Sequence, residues 1–550
     1  MTSSLRPLLV LVTAALLLLI GAAAAGAATI KVTSTLDGGP GDSGCNLRDA
    51  VSAANTNTPV GGCPGDSAGA DTILLEGGKT YRIERHQSFE NANAKGDFDI
   101  AGPVTIRATG EGLATVDANN LASAGGPVDA DRVFEVLFEA GAVVLERLRI
   151  TGGVVTVPPV GIFVGGGGVF SSSDLTVRDS EIVGNAVSGN AYLAGGGVFV
   201  ETVLGRLTIE RSTVAENTVR SENGGLSQRG VGGGVAAFNG AQDLTIVNST
   251  VSGNAVLKPN GNAITFGGGI YAGNQFKGAP TTLRNVTVTR NSAENSGGAE
   301  LATATLGGTI VAGNTTLLPA STECTVRTAG SSLGGNLIGA AATATGCDFA
   351  NAGDRYGTPA APVPPNLGPL AANGGPTRTM APNTGSPAID IGGTCPDTDQ
   401  RGFFRAAAAP CDSGAVELGA SPTAPGGAAG KARLKRAGKL KLTGRPRGRL
   451  TLRSGILATC PAGGPVCRGR IKAKPKVLPR RGSGMPRSYG SAPISLKPGK
   501  SRLLVVKLTP GASALARAQG KLRLAVSAWL KPAGGTKVSL ARSGAPKPPG

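Results

Sequence analysis

Asp174, Asp179 and Glu181 fall in one short stretch of this 550-residue chain, and Glu201 and Glu210 follow in the next repeat of that stretch. Hydrolysis of a glycosidic bond requires two converging carboxylates, one giving a proton and one acting as base or nucleophile. Uronate elimination requires a base beside calcium held by acidic oxygens. Asp174, Asp179 and Glu181 are therefore the candidate catalytic set. Other chemistries have less to build on. His86 is the lone histidine and has no Cys or His near it, so neither a zinc or haem site nor a Ser-His-Asp arrangement follows. Gly runs such as "GGGGVF" lack the Lys-Ser/Thr that completes a phosphate-binding loop. "DGGPGDSG" (Asp37, Asp42) and "CPDTDQRG" (Asp397, Asp399) have the acid spacing of some calcium loops. Neither fits an EF-hand, and both read as Asx turns. The expected cofactor set is none, with calcium the one metal left open.

A repeat must position these acids. "LTVRDSEIVGN" ends at Asn185, "LTIERSTVAEN" at Asn217, "LTIVNSTVSGN" at Asn254 and "TTLRNVTVTRN" at Asn291. Degenerate copies end at Gly153, Asn314 and Asn336, so the intervals run 32, 32, 37, 37, 23 and 22 residues. Four copies follow a Gly run and an apolar pair or triplet, as in "GGGVFV" at 195. Short β-branched stretches that alternate in and out, with Gly and Asn at the corners, predict strands and tight turns rather than helices. A period near 22 predicts one turn of a parallel β-helix with three strands. Periods of 32 to 37 predict the same turn with an inserted loop. The expected fold is all-β: a right-handed parallel β-helix over 71–350, followed by a small antiparallel β-sandwich. In this register Asp179 stands over Arg211 and Glu181 over Thr213, which predicts exposed salt bridges rather than an acid and base pair. Asn248 and Asn285 share one corner position and predict a partial ladder of stacked amides. That structural role is preferred over glycosylation at Asn248, Asn285 and Asn314, each of which begins a sequon.

"GCNLRDAVSAAN" (44–55) crowds a Cys, an Arg and an Asp just upstream of the first rung. Asn46 can cap a helix and Asp49 would sit in its first turn. Leu47, Ala50, Val51 and Ala54 then form one apolar stripe. A solenoid needs a lid over its open end, so Asn46, Leu47, Arg48, Asp49 and Val51 are assigned to a structural cap spanning 29–70. The eight cysteines fall as near neighbours: Cys45 and Cys63, Cys324 and Cys347, Cys395 and Cys411, Cys460 and Cys467. Four local disulfides are the simplest arrangement and fit an oxidising compartment, although spacing alone leaves the connectivity open.

Several motifs resemble known families. "CNLRDAV" is similar to the CSLREA motif that opens many secreted bacterial β-helix proteins. The Gly-run and Asn units resemble the repeats of polymorphic outer-membrane proteins. Residues 366–419, "NLGPLAANGGPTRTMAPNTGSPAIDIG…DQRGFFR…CDSGAVELG", resemble the choice-of-anchor Q module, which implies a closing element over 351–420 and surface display without an assigned activity. The parallel β-helix is also the scaffold of pectate lyases and polygalacturonases, which keeps a polysaccharide lyase or hydrolase as the alternative function.

The two ends of the chain point to the cell exterior. Arg6, the apolar Leu8–Ile20 and Ala25-Gly26-Ala27 read as an export signal over 1–28. Residues 431–550 hold 29 of the 54 Lys and Arg and no Asp or Glu, leaving 25 basic against 35 acidic residues elsewhere. After a linker at 421–430, "GRLTLRSG", "SRLLVVKL" and "GKLRLAVSAWL" alternate apolar and basic residues, predicting a basic β-sandwich over 431–545. It resembles the Ig-like β-domains at the ends of actinobacterial exported proteins. A tail with one Trp is too short and too poor in aromatics for an integral membrane barrel. Nucleic acid is not an expected partner, because few aromatics are available to stack on bases. The expectation is a monomeric, surface-associated adhesion or glycan-binding protein that leans away from catalysis. Its partner would be a cell-envelope polyanion or polysaccharide.

Overall fold

The computed structural model describes the chain apart from residues 1–26, 39–43, 66–68, 86, 88–89, 119–130, 158–162, 202–204, 223–228, 239–240, 260–263, 274–278, 319–320, 342–345, 350, 352, 394, 406–409, 423–431, 446–447, 461–465, 478, 480–484, 498–499, 533–536 and 550. The export signal up to residue 26, Asp42, His86 and most of the linker lie outside the described residues. Two compact units are present, residues 1–402 with 408–420, and residues 403–407 with 421–550.

The first unit is a right-handed parallel β-helix. One turn runs through Glu181–Val183, Ala186–Gly189, Tyr192–Ala194, Val198–Glu201 and Arg206–Glu210. Thr213–Ala215 then returns to pair with the first strand, Glu181 opposite Thr213. Strands at equivalent positions pair in parallel from turn to turn and build five faces. We call them A (containing Arg206–Glu210), B (Val198–Glu201), C (Glu181–Val183), D (Ala186–Gly189) and E (Tyr192–Ala194). A and B merge at the C-terminal end, where Ala299–Gly307 runs straight through the corner that separates them elsewhere. Leu207 and Ile209 point into the core while Thr208 and Glu210 face outward, as the two-residue period requires.

The first turns have the expected three strands, as in Asp71–Glu76, Thr80–Arg82 and Phe98–Ile100, but the longer middle repeats have five, which corrects the expected inserted loop. The insert of the longer repeats is a pair of short strands, faces D and E, that stack in register. Val187, Leu193, Val219 and Val256 form an apolar cluster of their own there. An insert that recurs at the same place in each repeat can satisfy its backbone groups by pairing with its own copies. A lone loop could not.

Asn residues do form a ladder, but at the last position of each repeat rather than at Asn248 and Asn285. The side-chain amide nitrogen of Asn185 donates to Oδ1 of Asn217 at 3.0 Å, and the series continues through Asn254, Asn291 and Asn314 at 2.9 Å per step. Each Oδ1 also accepts the backbone N–H of the Asn one turn earlier. Glu323 ends the ladder by accepting from Asn314. This explains why the Gly runs travel with the Asn. A Cβ on Gly234 would stand 2.9 Å from the Asn254 amide and 2.8 Å from the Gly269 carbonyl oxygen, so a side chain would push the ladder apart. Asn248 and Asn285 instead occupy a left-handed corner at φ 47° and 51°, a place that Arg147, Asp179 and Arg211 hold in other turns. Both are buried, at 4% and 0% exposure, which fits a structural role over a glycan.

The lid forms as its residues suggest. A helix spans Leu47–Thr56, and the Asn46 side chain accepts the backbone N–H of Asp49. Leu47, Ala50, Val51 and Ala54 are buried against the first rungs. Arg48 is buried too. It pairs with Asp37 at 2.7 Å and donates to the carbonyls of Gly96 and Asp97, tying the lid to the turn that precedes Phe98–Ile100. Cys45–Cys63, Cys324–Cys347 and Cys395–Cys411 are disulfides of this unit.

The described residues of 355–402 and 410–420 run back along face C. Gln400 bonds to Thr213 and Thr250, the Thr398 carbonyl accepts from Asn248, and Thr287 accepts from the Ala415 N–H. This strap covers the outward row Glu181, Thr213, Thr250, Thr287.

The second unit is a pair of four-stranded antiparallel sheets around one core that includes Leu452, Ile456, Ile471, Val506, Val526 and Leu530. Cys460–Cys467 lies in it. A helix at Pro510–Ala518, capped by Thr509 with Pro510 in its first turn, was not anticipated in the expected all-β sandwich.

Candidate functional site

The three candidate acids do not converge. Asp174 precedes Leu175–Arg178 on face A and accepts the backbone N–H of Arg206 at 3.0 Å. Asp179 sits in the left-handed corner and pairs with Arg211 at 2.8 Å. Glu181 opens face C and is held by Arg149 at 2.7 Å and by both the backbone and side chain of Arg378. The register matches expectation, with one difference: Glu181 is buried under the strap instead of exposed. Buried beneath the strap and bonded to Arg149 and Arg378, this carboxylate has its oxygens occupied and is not presented to a substrate. Glu210 is likewise paired with Arg178 and Arg211, and Glu201 lies on face B opposite Phe238 in register. Of the proposed calcium loops, Asp37 is taken up by Arg48 and by the backbone N–H groups of Glu84 and Arg85, and Asp399 by Arg401.

The five faces differ in what remains open. The strap lies over C. D and E pack on each other, and E also packs on B through Tyr192, Phe199, Phe238 and Tyr271. Face A keeps an open outward surface among the described residues. Its central row reads Thr72, Thr105, Val144, Thr176, Thr208, Thr245, Thr282, Thr305 and Ser331, each paired in register with the next. Parallel strands set this row at about 4.8 Å per rung. Ion pairs flank it. On one side Arg107, Glu146, Arg178 and Glu210 alternate in sign, with Arg178 and Glu210 at 2.9 Å. On the other, Arg206 and Asp243 pair at 3.1 Å. Toward the C-terminal end the row enters a depression of about 300 Å³ lined by Thr282, Thr305 and Ser331 among others. No single residue signals this face. The signal was the Thr at one fixed offset in each repeat.

Three other carboxylates do converge. Asp97 and Asp99 stand on one side of the strand Phe98–Ile100, and Glu135 pairs with Asp99 in the next turn. One oxygen from each lies within 4.8 Å of those of the other two. Asp97 and Asp99 are both 1% exposed, too enclosed for a substrate to reach. Burial, reinforced by Asp131, holds the Asp97 carboxyl well above the ordinary range against the pull of Arg132. Burial likewise pushes Asp99 up to about 7. Sequence reading missed this set because Asp97 and Glu135 are adjacent only through register.

On the second unit, Arg468, Arg470, Lys472 and Lys474 are exposed along Cys467–Pro475, and Trp529 lies opposite Arg470. Lys537 stacks its ammonium over the Trp529 ring at 5.1 Å. No protein-family model and no curated protein matches the chain. Among solved structures it is similar to the crystal structure of pectate lyase Pel9A, at 16% identity and a TM-score of 0.30, over 71% of this chain and 97% of that one. The similarity is too distant to carry chemistry from one protein to the other.

Proposed function

We propose that this chain is an exported, non-catalytic binding protein that lays an extended polysaccharide along the threonine row of face A. The carrying observation is that row: hydroxyls repeat at one spacing on successive rungs, interrupted only by Val144, on the face that the strap and faces D and E leave open. Each Thr is half-buried, so its side chain is partly open to solvent. A polymer whose polar groups repeat along its length can bond to such a row many times, gaining affinity from multiplicity rather than from one deep pocket. The ion-paired flanks neutralise each other and leave no strong field of one sign, which favours a neutral or weakly charged polymer on this face.

The basic sheet of the second unit supplies a separate attraction for a cell-envelope polyanion, and retention there depends on salt. Four disulfides are consistent with an extracytoplasmic location. The resemblances to CSLREA and choice-of-anchor Q proteins support the same surface placement. A lyase or hydrolase is less well supported, because its candidate acids are occupied by arginines. The test is retention on a panel of insoluble polysaccharides, comparing the wild-type chain with T208V/T245V/T282V. The substitution keeps shape and removes hydroxyls, so retention should fall at least tenfold with folding intact. Undiminished retention on the same polymer would overturn the assignment to face A.

A further inference from the structure

We propose that Asp97, Asp99 and Glu135 bind calcium beneath the lid of the β-helix. The site is separate from face A and does not rest on the polysaccharide reading. Two observations point to a ligand. The first is the convergence of three carboxylates from two adjacent rungs. The second is Asp97 itself, which is 1% exposed and directed into the cluster, yet neither of its oxygens accepts a hydrogen bond. Oδ1 of Asp99 accepts none either. The nearest cationic atom to Asp97 is Nε of Arg132, 3.8 Å away, and that guanidinium is engaged with Glu135. Arg48 spends its charge on Asp37 and reaches Asp97 only at the backbone carbonyl. Buried Asp131 adds a fourth carboxylate nearby. Carboxylates therefore outnumber guanidinium groups in an enclosed setting whose candidate ligand atoms are all oxygens, which suits a hard divalent cation.

Coordination habit selects among such cations. Calcium takes several carboxylate oxygens in a flexible geometry, whereas magnesium demands near-ideal octahedral angles and keeps several waters. Three carboxylates converging in an enclosed site therefore favour calcium. The surroundings hold the ligands in place. The N–H of Asn93 bonds to Oδ2 of Asp99 at 2.7 Å, while the Asn93 side-chain amide bonds to the Arg48 carbonyl and Ser52 of the lid helix. Asn55 grips the Asp99 carbonyl and the Ala101 N–H. A cation here would couple the lid to the first rungs.

The full chain, stripped with a chelator, is titrated with calcium chloride and separately with magnesium chloride, by calorimetry and by thermal unfolding. One saturable calcium site is expected, with a rise in the β-helix Tm on the order of 5 °C at hundredfold excess over Kd. D97N and D99N, which neutralise buried charge at constant shape, should abolish the calcium response while remaining folded. E135Q, at the more open edge of the cluster, should weaken binding at least tenfold. A wild-type chain that shows neither heat nor Tm shift overturns the proposal. So does calcium binding that survives in D97N, or magnesium binding as tight as calcium.

Discussion

Asn254→Ala isolates what the amide ladder contributes. Asn254 is fully buried. Its amide nitrogen donates to Oδ1 of Asn291 at 2.9 Å and to the Val214 carbonyl at 3.0 Å. Its Oδ1 accepts from the backbone N–H of Asn217 at 3.1 Å and from that residue's amide nitrogen at 2.9 Å. Truncation removes all four bonds. The Asn217 amide keeps its bond to the Ile182 carbonyl, and Oδ1 of Asn291 keeps the Asn254 N–H, so those two groups are only partly orphaned. The Asn217 N–H and the Val214 carbonyl lose these bonds within the interior. With about 1–3 kcal/mol for each unsatisfied buried group, plus the lost packing of the side chain, the expected destabilisation is about 3–5 kcal/mol. Because the two units need not unfold together, the assay is urea unfolding followed by hydrogen exchange mass spectrometry, which reads the β-helix amides separately from the sandwich amides. The β-helix transition should move to lower urea while that of the sandwich stays. A shift below about 1 kcal/mol would refute the view that the ladder is a principal stabilising element.

Val51→Asp places an unpartnered carboxylate in the lid's buried stripe and should abolish soluble, folded secretion; a folded product lacking only a ligand would show that the helix is not a lid. Gly234→Ala should fold poorly or lose protection in the neighbouring turns, since its Cβ meets both the ladder and the next Gly carbonyl; native-like hydrogen exchange would count against that packing. Glu300 has its carboxyl raised, because burial outweighs its pairing with Arg327. An acid with a raised folded pKa stabilises the fold below its ordinary range and loses that contribution as pH rises through the raised value. The stability of wild type relative to E300Q should therefore increase as pH falls from neutral toward the ordinary glutamate range; a pH-independent difference would refute the shift.

The repeat made the β-helix readable because the constraints that build it act locally: β-branched residues with a period of two, left-handed corners, and Gly where backbone crowds the Asn. The lid was readable for the same reason, since Asn46 and the Leu47–Val51 stripe carry both its cap and its buried side. What escaped depended on register between distant segments. Two of the repeats carry Asn at two places, and only the stacking shows that Asn254 and Asn291 face the interior while Asn248 meets the strap. Asp99 and Glu135 meet across a rung, and the stretch between them lacks the Gly-run and Asn signature that aligns the later repeats. Faces D and E are strands by virtue of pairing with their own copies, and stretches as short as Tyr192–Ala194 carry too little pattern to be read alone. The Thr509-Pro510 start of the tail helix was present in the sequence but hidden within a run of strand-like alternation.

Binding without cleavage is the central claim, and one measurement addresses it directly. The folded chain is incubated for a long period with each polysaccharide that retains it, with calcium added, while new reducing ends and unsaturated uronate ends are both scored. Retention with no new ends of either kind is the predicted result. Cleavage that disappears in E181Q would contradict it, and would return the acids around the face A corner to an active site.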